Sequence, residues 1–503
     1  MNRIVVFGAG KSATCLIEYL VKETATLNWE LIVADGDINA ARSKIGDSRS
    51  AKAVGLNVEN ETERGALIQE ASIVISLLPP HLHILVAKDC VKYSKNLLTA
   101  SYIDPAIKEL ENEVNAKGLL FLCEMGLDPG IDHMSAMQLI HEIRHKGGNI
   151  TSFVSHCGGL VAPESDDNPW HYKISWNPRN IVQAGKAGAI FKFEGRTIQM
   201  PYEELFDANR TVMVPDLPMM AWYPNRDSLS YMGLYGLENA QTFIRTTLRY
   251  PEFSFGWKHV IDLKLIDETP AYETDGMTLQ TFFQQHLTKH GFSDWLEKQL
   301  TSRLSKTKEL LEKLQELLKA EENVEEGSRA EIQDFMAVDD EGNLKNVNLD
   351  NVKTTAAATV VEQMHEANLS MKQLFFLGMD DNETVINKGF CSALDVLQFA
   401  MERKLALSAN DKDMIVMLHE FEYLIGETKM ATRSSLIVKG KDPLRTAMAQ
   451  TVGLPLGIAA KLILQGVIKE KGLQIPVLPG IYTPVLKELE NHGVQFSETN
   501  HIL

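Results

Sequence analysis

Chemistry enters this 503-residue chain in its first apolar run, RIVVFGAGKSATC, where glycines stand two apart ahead of a helical pattern. In the spacing G-x-G-x-x-A, Gly8 permits a tight turn and Gly10 lacks the Cβ that would hold a pyrophosphate away from the backbone; Ala13 takes the close-packing third place. Gly8, Gly10, Lys11, Ser12 and Ala13 therefore read as a phosphate cradle at a helix N-terminus, where unpaired N–H groups and the helix dipole favour an anion. The next run, ELIVAD, ends in Asp35, placed to accept hydrogen bonds from ribose hydroxyls. An acid there repels a 2′-phosphate, so NAD is the expected cofactor, with NADP the second choice.

These residues need a scaffold, and the pattern supplies one. Apolar runs at Ile4–Phe7, Leu31–Ala34, Ala53–Val58, Ile73–Leu78, Asn96–Ser101 and Leu119–Cys123 alternate with helical stretches. That rhythm predicts an α/β fold with a doubly wound parallel sheet. Ligands of such sheets lie beyond the carboxyl ends of the strands. The candidates there are Asn57 and Val58, Ser76 to Pro79 with Leu77 and Leu78 among them, Ala100, Ser101 and Tyr102, and Glu124, Met125 and Gly126. The glycine spacing alone is equally a structural strand-to-helix turn; Asp35 and the strand rhythm argue for a nucleotide.

Composition narrows the partners. With 50 Lys and Arg against 67 Asp and Glu the formal charge is −17, a field that repels polyanions and disfavours nucleic acid. No signal-peptide pattern opens the chain, so a cytoplasmic protein with no membrane association is expected. Five widely spaced cysteines without C-x-x-C suit reduced thiols. His81 and His83 lack neighbouring ligands, so no metal is expected.

Beyond the first quarter, DPGIDHMSAMQLIHEIRHKGG predicts a helix capped by Asp132 and closed by Gly147 and Gly148. Short β-type runs at 149–155, 190–200 and 210–215 suggest a mixed α+β middle domain. Apolar spacing predicts a long amphipathic helix over 295–318, followed by exposed connections at 319–331 and 338–351. Two helices are expected within 392–426, a strand over 428–440, and a buried helix over 448–468 whose Gly453, Gly457 and Ala460 offer a face for close packing.

Five segments are more specific: TASYIDP (99–105), CEMGLDPGIDHM (123–134), SHCGGLVAPESDDNPWHYKISWNPR (155–179), WYPNRDS (222–228) and TTLRY (246–250). Together they resemble the saccharopine dehydrogenase family, in its glutamate-forming branch. The resemblance implies a dinucleotide-binding domain over 1–127, an inserted substrate domain over 128–445 with a helical part at about 285–426, and a segment over 446–503 returning to the first domain. A homodimer is expected. The implied reaction is oxidation of saccharopine with NAD(P) and water to glutamate and 2-aminoadipate 6-semialdehyde, or the reverse.

By the same resemblance Arg226 and Arg249 clamp substrate carboxylates, Thr247 and Leu248 lie beside them, and Asp128 touches substrate and cofactor. Ser101 and Tyr102 bridge the two ligands, Leu127 and Pro129 lie by the nicotinamide, and Ser175 lies near the cofactor. The proton acceptor stays open among Asp128, Tyr102, His133 and solvent. Asp35 departs from NADP-using fungal members, which carry a small residue followed by arginine where this chain has Asp35-Gly36. Two other readings keep the fold: a carboxyspermidine or carboxynorspermidine dehydrogenase needing fewer arginines, and a non-catalytic NAD-responsive regulator.

Overall fold

The computed structural model describes residues 1–295, 298, 334–338, 344–348 and 368–503. They form two compact units, one of residues 1–167, 171–255 and 405–503, the other of 168–170 and 256–404.

In the first unit the apolar runs become strands β1 (Arg3–Phe7), β2 (Glu30–Asp35), β3 (Ala51–Gly55), β4 (Ile73–Ser76), β5 (Asn96–Thr99) and β6 (Leu120–Leu122). A seventh strand, Gly472–Gln474, adds to β6, and all seven run parallel in the order Gly472–Gln474, β6, β5, β4, β1, β2, β3. Successive side chains leave on opposite faces, so Ile4, Val6, Leu31 and Val33 enter one core while Val5, Phe7, Ile32 and Val74 enter another. The chain runs outward from β1 to β3 and then returns to β4 on the other side of β1. The crevice at such a reversal is where a dinucleotide binds.

A ten-stranded mixed sheet completes this unit: β7 (Asn149–Val161), β8 (Ala189–Phe193), β9 (Arg196–Met200), β10 (Thr211–Val212), β11 (Met220–Pro224), β12 (Arg226–Asp227), β13 (Thr242–Arg249), then Asp413–Ile425, Thr428–Lys439 and Ser497–Ile502. β13 lies parallel to β7 and antiparallel to β11. The segment 411–426, expected as helix, is instead the strand Asp413–Ile425, paired with β7 and with Thr428–Lys439. Met414 to Leu418 are all buried, and a run buried on both faces carries no period that separates strand from helix.

The helix Ala447–Leu464 packs on Thr14–Leu27 through its small residues. A Cβ on Gly453 would stand 2.9 Å from the Leu16 nitrogen, and one on Gly457 2.7 Å from the Tyr19 ring. This helix has the length and apolarity of a membrane span, but 72% of it is buried within the protein.

The second unit is built around the helices Leu279–Lys289 and Ala393–Lys404 and the antiparallel pair Tyr272–Glu273 with Phe390–Cys391. Leu344–Asn348, expected as part of an exposed connection, pairs antiparallel with Asp334–Val338. The amphipathic helix expected at 295–318 and the connection at 319–331 lie essentially outside the described residues.

Candidate active site

The loop after β1 is shaped for a nucleotide. Gly8 adopts φ +104°, and a Cβ there would lie 2.6 Å from the Leu77 carbonyl oxygen. Around Gly10 the space a Cβ would point into is open, with no atom within 4 Å. Lys11, Ser12 and Ala13 then form a 3-10 turn leading into the helix Thr14–Leu27. An open, Cβ-free approach to a helix start fits a diphosphate. Asp35 is held in place by two backbone donors, Ala9 N–H to Oδ2 (2.6 Å) and Asp37 N–H to Oδ1 (2.8 Å). Sequence reasoning passed over Lys44, whose ammonium donates to the carbonyls of Ala9 (2.6 Å) and Gly10. The residues present therefore fit a nicotinamide dinucleotide.

At the other strand ends the candidates divide. Asn57 spends its side-chain oxygen on the Glu59 N–H, 3.0 Å away, and Val58 packs against the core. Leu77 and Leu78 are half-buried at the switch, Leu77 N–H donating to the Phe7 carbonyl (2.8 Å). Ala100 lies under Gly126, so close that a Cβ there would be 3.0 Å away. Ser101 is fixed by a buried relay: Ser76 Oγ to His83 Nδ1, and His83 Nε2 to Ser101 Oγ, each 2.8 Å. Burial pulls the His83 pKa down to about 4, so its ring is neutral at pH 7.

The segment after β6 folds back on itself, Gly126 N–H donating to the Pro129 carbonyl and Asp132 N–H to the Leu127 carbonyl, both at 3.0 Å. Asp132 is not the cap expected of it: the helix begins at Ile131 after Gly130, and Asp132 sits inside its first turn, its Oδ1 accepting the Gly130 N–H (2.6 Å). Its other oxygen meets Arg245, which the sequence reading missed. One Arg245 nitrogen, Nη2, donates to Asp128 Oδ1 (2.6 Å) and Asp132 Oδ2 (2.7 Å), while the guanidinium lies 4.4 Å from the centre of the Tyr231 ring.

The two aspartates diverge. Burial pushes the Asp128 carboxyl up to about 6, Arg245 opposing and Asp132 reinforcing the shift. For Asp132, burial is outweighed by His133, Arg245 and the Gly130 N–H, and its pKa falls. Asp128 keeps 14% of its side chain exposed, so it is the member a ligand reaches. Burial, with Asp128 nearby, raises the Tyr102 phenol above its usual value, which makes Tyr102 a hydrogen-bond donor rather than a resting proton acceptor. His133 is fully buried between Glu124 Oε2 (2.9 Å) and the Tyr235 hydroxyl (2.5 Å).

Arg226, exposed and at φ +49°, lays its guanidinium 5.1 Å from the Tyr102 ring centre. Arg249 is 4% exposed and stacks 5.3 Å from both Tyr172 and Phe253. Its Nη1 donates to the Leu248 carbonyl (2.8 Å), its Nε has no partner, and no carboxylate among the described residues pairs with it. Thr247 is half-buried beside it, but the Leu248 side chain is wholly buried in the core, leaving only its backbone for contact. Ser175 hydrogen-bonds Asp413, which also takes the N–H groups of Ala447 (2.6 Å) and Met448 (3.0 Å). Arg245, Thr247 and Arg249 alternate along β13, so the period of two that places Arg249 on one face also places Arg245 there.

Residues 126–494 match the saccharopine dehydrogenase C-terminal domain, and residues 4–122 the saccharopine dehydrogenase NADP binding domain. The chain is 30% identical to saccharopine dehydrogenase [NADP(+), L-glutamate-forming] of Saccharomyces cerevisiae over 93% of its own length and 95% of the relative's. It is 31% identical to alpha-aminoadipic semialdehyde synthase of Arabidopsis thaliana, over 98% of its own length but only 44% of that longer protein. The structure of apo saccharopine dehydrogenase (L-Glu forming) from Saccharomyces cerevisiae superposes over 100% of both chains with a TM-score of 0.77 at 27% identity. The NADP in these descriptions leans against the NAD preference expected from Asp35. By two matched domains that together span nearly all of its length, the chain belongs to the saccharopine dehydrogenase family.

Proposed function

We propose that this protein is a glutamate-forming saccharopine dehydrogenase, oxidising saccharopine with NAD(P) and water to glutamate and 2-aminoadipate 6-semialdehyde, or running the reverse. The observation that carries the reading is the meeting of Arg226 and Arg245 with Tyr102 and Asp128 at the carboxyl end of the parallel sheet. Saccharopine, with three carboxylates and two amines, calls for several forked cations and an anion in one place.

The bound nicotinamide supplies the hydride acceptor, or the donor in reverse. The chain's part is to bind, orient and move protons. Arg226 and Arg249 grip the carboxylates, and Arg249, whose Nε is unpartnered and which pairs with no carboxylate among the described residues, suits that role. Asp128 binds the substrate's amine, and a carboxyl raised to about 6 can also receive a proton when carbinolamine collapses. Tyr102 donates a hydrogen bond to the substrate, and Ser101, oriented by His83, bridges toward the cofactor.

Asp35 favours NAD, while Lys44, on the carbonyls of Ala9 and Gly10 and near enough to Asp35 to feel its charge, is a cation that would favour a 2′-phosphate. The protein is proposed to act as a cytoplasmic homodimer. A panel of amino acids read by absorbance of the reduced cofactor tests the assignment. Saccharopine should give turnover, whereas turnover only with carboxyspermidine-type substrates would replace this reading.

A further inference from the structure

The buried carboxyl of Glu124 takes no part in the chemistry above. Glu124 is 4% exposed and sits at φ +55°, a left-handed conformation that strains any residue but glycine. Glycine would make this turn more easily; what it could not supply is the side chain, and that side chain has partners on three separate segments. Oε1 accepts the Ile103 N–H (3.3 Å). Oε2 accepts the Tyr231 hydroxyl (3.0 Å) and meets His133 Nε2 (2.9 Å). The Glu124 N–H itself donates to the Ser101 carbonyl (3.0 Å).

These partners are not arbitrary. Ile103 follows Ser101 and Tyr102, the loop at the end of β5 assigned above to both ligands. Tyr231 is the aromatic shelf beneath Arg245, and its ring also stacks 5.2 Å from His133. We propose that Glu124 is a positioning residue for the reaction assigned above: its one carboxyl group ties the Ser101–Tyr102 loop to the Tyr231 shelf, and so sets the distance between Tyr102 and the Arg245–Asp128 pair. It touches neither ligand. The proposal rests on the functional reading for the identity of the substrate, but not for the geometry it invokes.

The conservative variant discriminates. Glutamine at 124 still accepts from Ile103, and its amide can donate to both the Tyr231 oxygen and His133, so Glu124→Gln preserves the tie with proton directions reversed. Alanine removes it. Amide hydrogen exchange at Ile103 and steady-state kinetics on the full chain read the outcome. Glu124→Ala should expose the Ile103 amide and raise the saccharopine KM about tenfold with kcat changed less than about threefold, a hydrogen-bond-sized effect. Glu124→Gln should restore both. Tyr231→Phe, which deletes one hydroxyl and serves if the alanine variant does not fold, should raise KM by about three- to fivefold. Unchanged exchange and KM in Glu124→Ala, or in Tyr231→Phe where the alanine variant does not fold, would overturn the proposal. So would a glutamine variant as impaired as alanine. If the wild-type protein does not turn over saccharopine while exchange at Ile103 still follows the Ala and Gln pattern, the substrate assignment fails and the positioning role stands.

Discussion

Arg245 and Asp128 form a buried ion pair 2.6 Å long, and the same nitrogen also reaches Asp132 at 2.7 Å. Taking three ionisable groups out of water is costly, and the arrangement persists only because a single guanidinium faces two carboxyls. Removing the cation leaves both carboxyls buried together. Arg245→Met is therefore expected to lower the free energy of unfolding by about 3–5 kcal/mol, read by denaturant titration. Asp128→Asn, which leaves the Asp132 pair intact, should cost less. Equal losses would mean that Asp128 alone anchors the guanidinium and that the Asp132 pair adds nothing.

The Asp128 carboxyl, raised to about 6 chiefly by burial, sets a pH limb. Both roles given to it, holding an ammonium and receiving a proton, require the ionised form. Saccharopine oxidation measured as kcat/KM should thus rise with pH through about 6 and level above it. Asp128→Asn should lower the plateau by about 10²-fold or more and abolish that limb. A limb persisting unchanged in the asparagine variant would assign it to another group.

Arg226 and Arg249 differ in setting, so their variants should differ in kind. Arg226 is exposed and lies against the Tyr102 ring, and Arg226→Ala should raise the saccharopine KM by about 10–100-fold with cofactor affinity unchanged. Arg249 is buried between Tyr172 and Phe253, where a planar guanidinium stacks and an ammonium does not. Arg249→Lys should raise KM while keeping the charge, with the thermal midpoint as control for folding. An unchanged KM in either variant would remove that arginine from the clamp.

What was legible in the residues and what was not follows from range. The six strands and the glycine loop could be read because strands buried on both faces leave compact apolar runs and the turn chemistry is local. The strand Gly472–Gln474 has three residues, too short for any period to register. Asp413–Ile425 looked helical because its apolar stretch is continuous. Arg245 was within reach, two residues before Thr247 on the same strand face, but it lies one residue outside the TTLRY motif that carries Arg249. Glu124 could be placed at a strand's carboxyl end but its role could not: its partners at 103, 133 and 231 are assembled by tertiary structure, and its positive φ is set there as well.

Asp35 and Lys44 carry opposite demands on the cofactor. Asp35, fixed by the N–H groups of Ala9 and Asp37, keeps a negative charge beside the expected ribose site. Asp35→Ser should lower the NADP Kd by about tenfold or more, measured by fluorescence titration of the reduced cofactor, and weaken NAD. Lys44→Ala should weaken NADP more than NAD. An Asp35→Ser variant with both affinities unchanged would show that this carboxylate is occupied wholly by the loop.

Two buried histidines make the fold acid-sensitive. Burial lowers His83, between Ser76 and Ser101, and His419, against Ser135, each to about 4. In the unfolded chain a histidine takes up its proton near 6.5, so below that pH the unfolded state binds more protons and is favoured. The contribution is fully present above about 6.5 and is lost as pH falls towards 4, up to about 3 kcal/mol for each ring. The thermal midpoint should therefore fall steeply between pH 6.5 and 4 in the wild type and less steeply in His83→Gln and His419→Gln. His83→Gln should also disturb Ser101, because the relay ends on that hydroxyl, and raise the KM for substrate or cofactor, whereas His419→Gln should leave both KM values alone. Parallel slopes in all three proteins would place the acid sensitivity in the carboxyls instead.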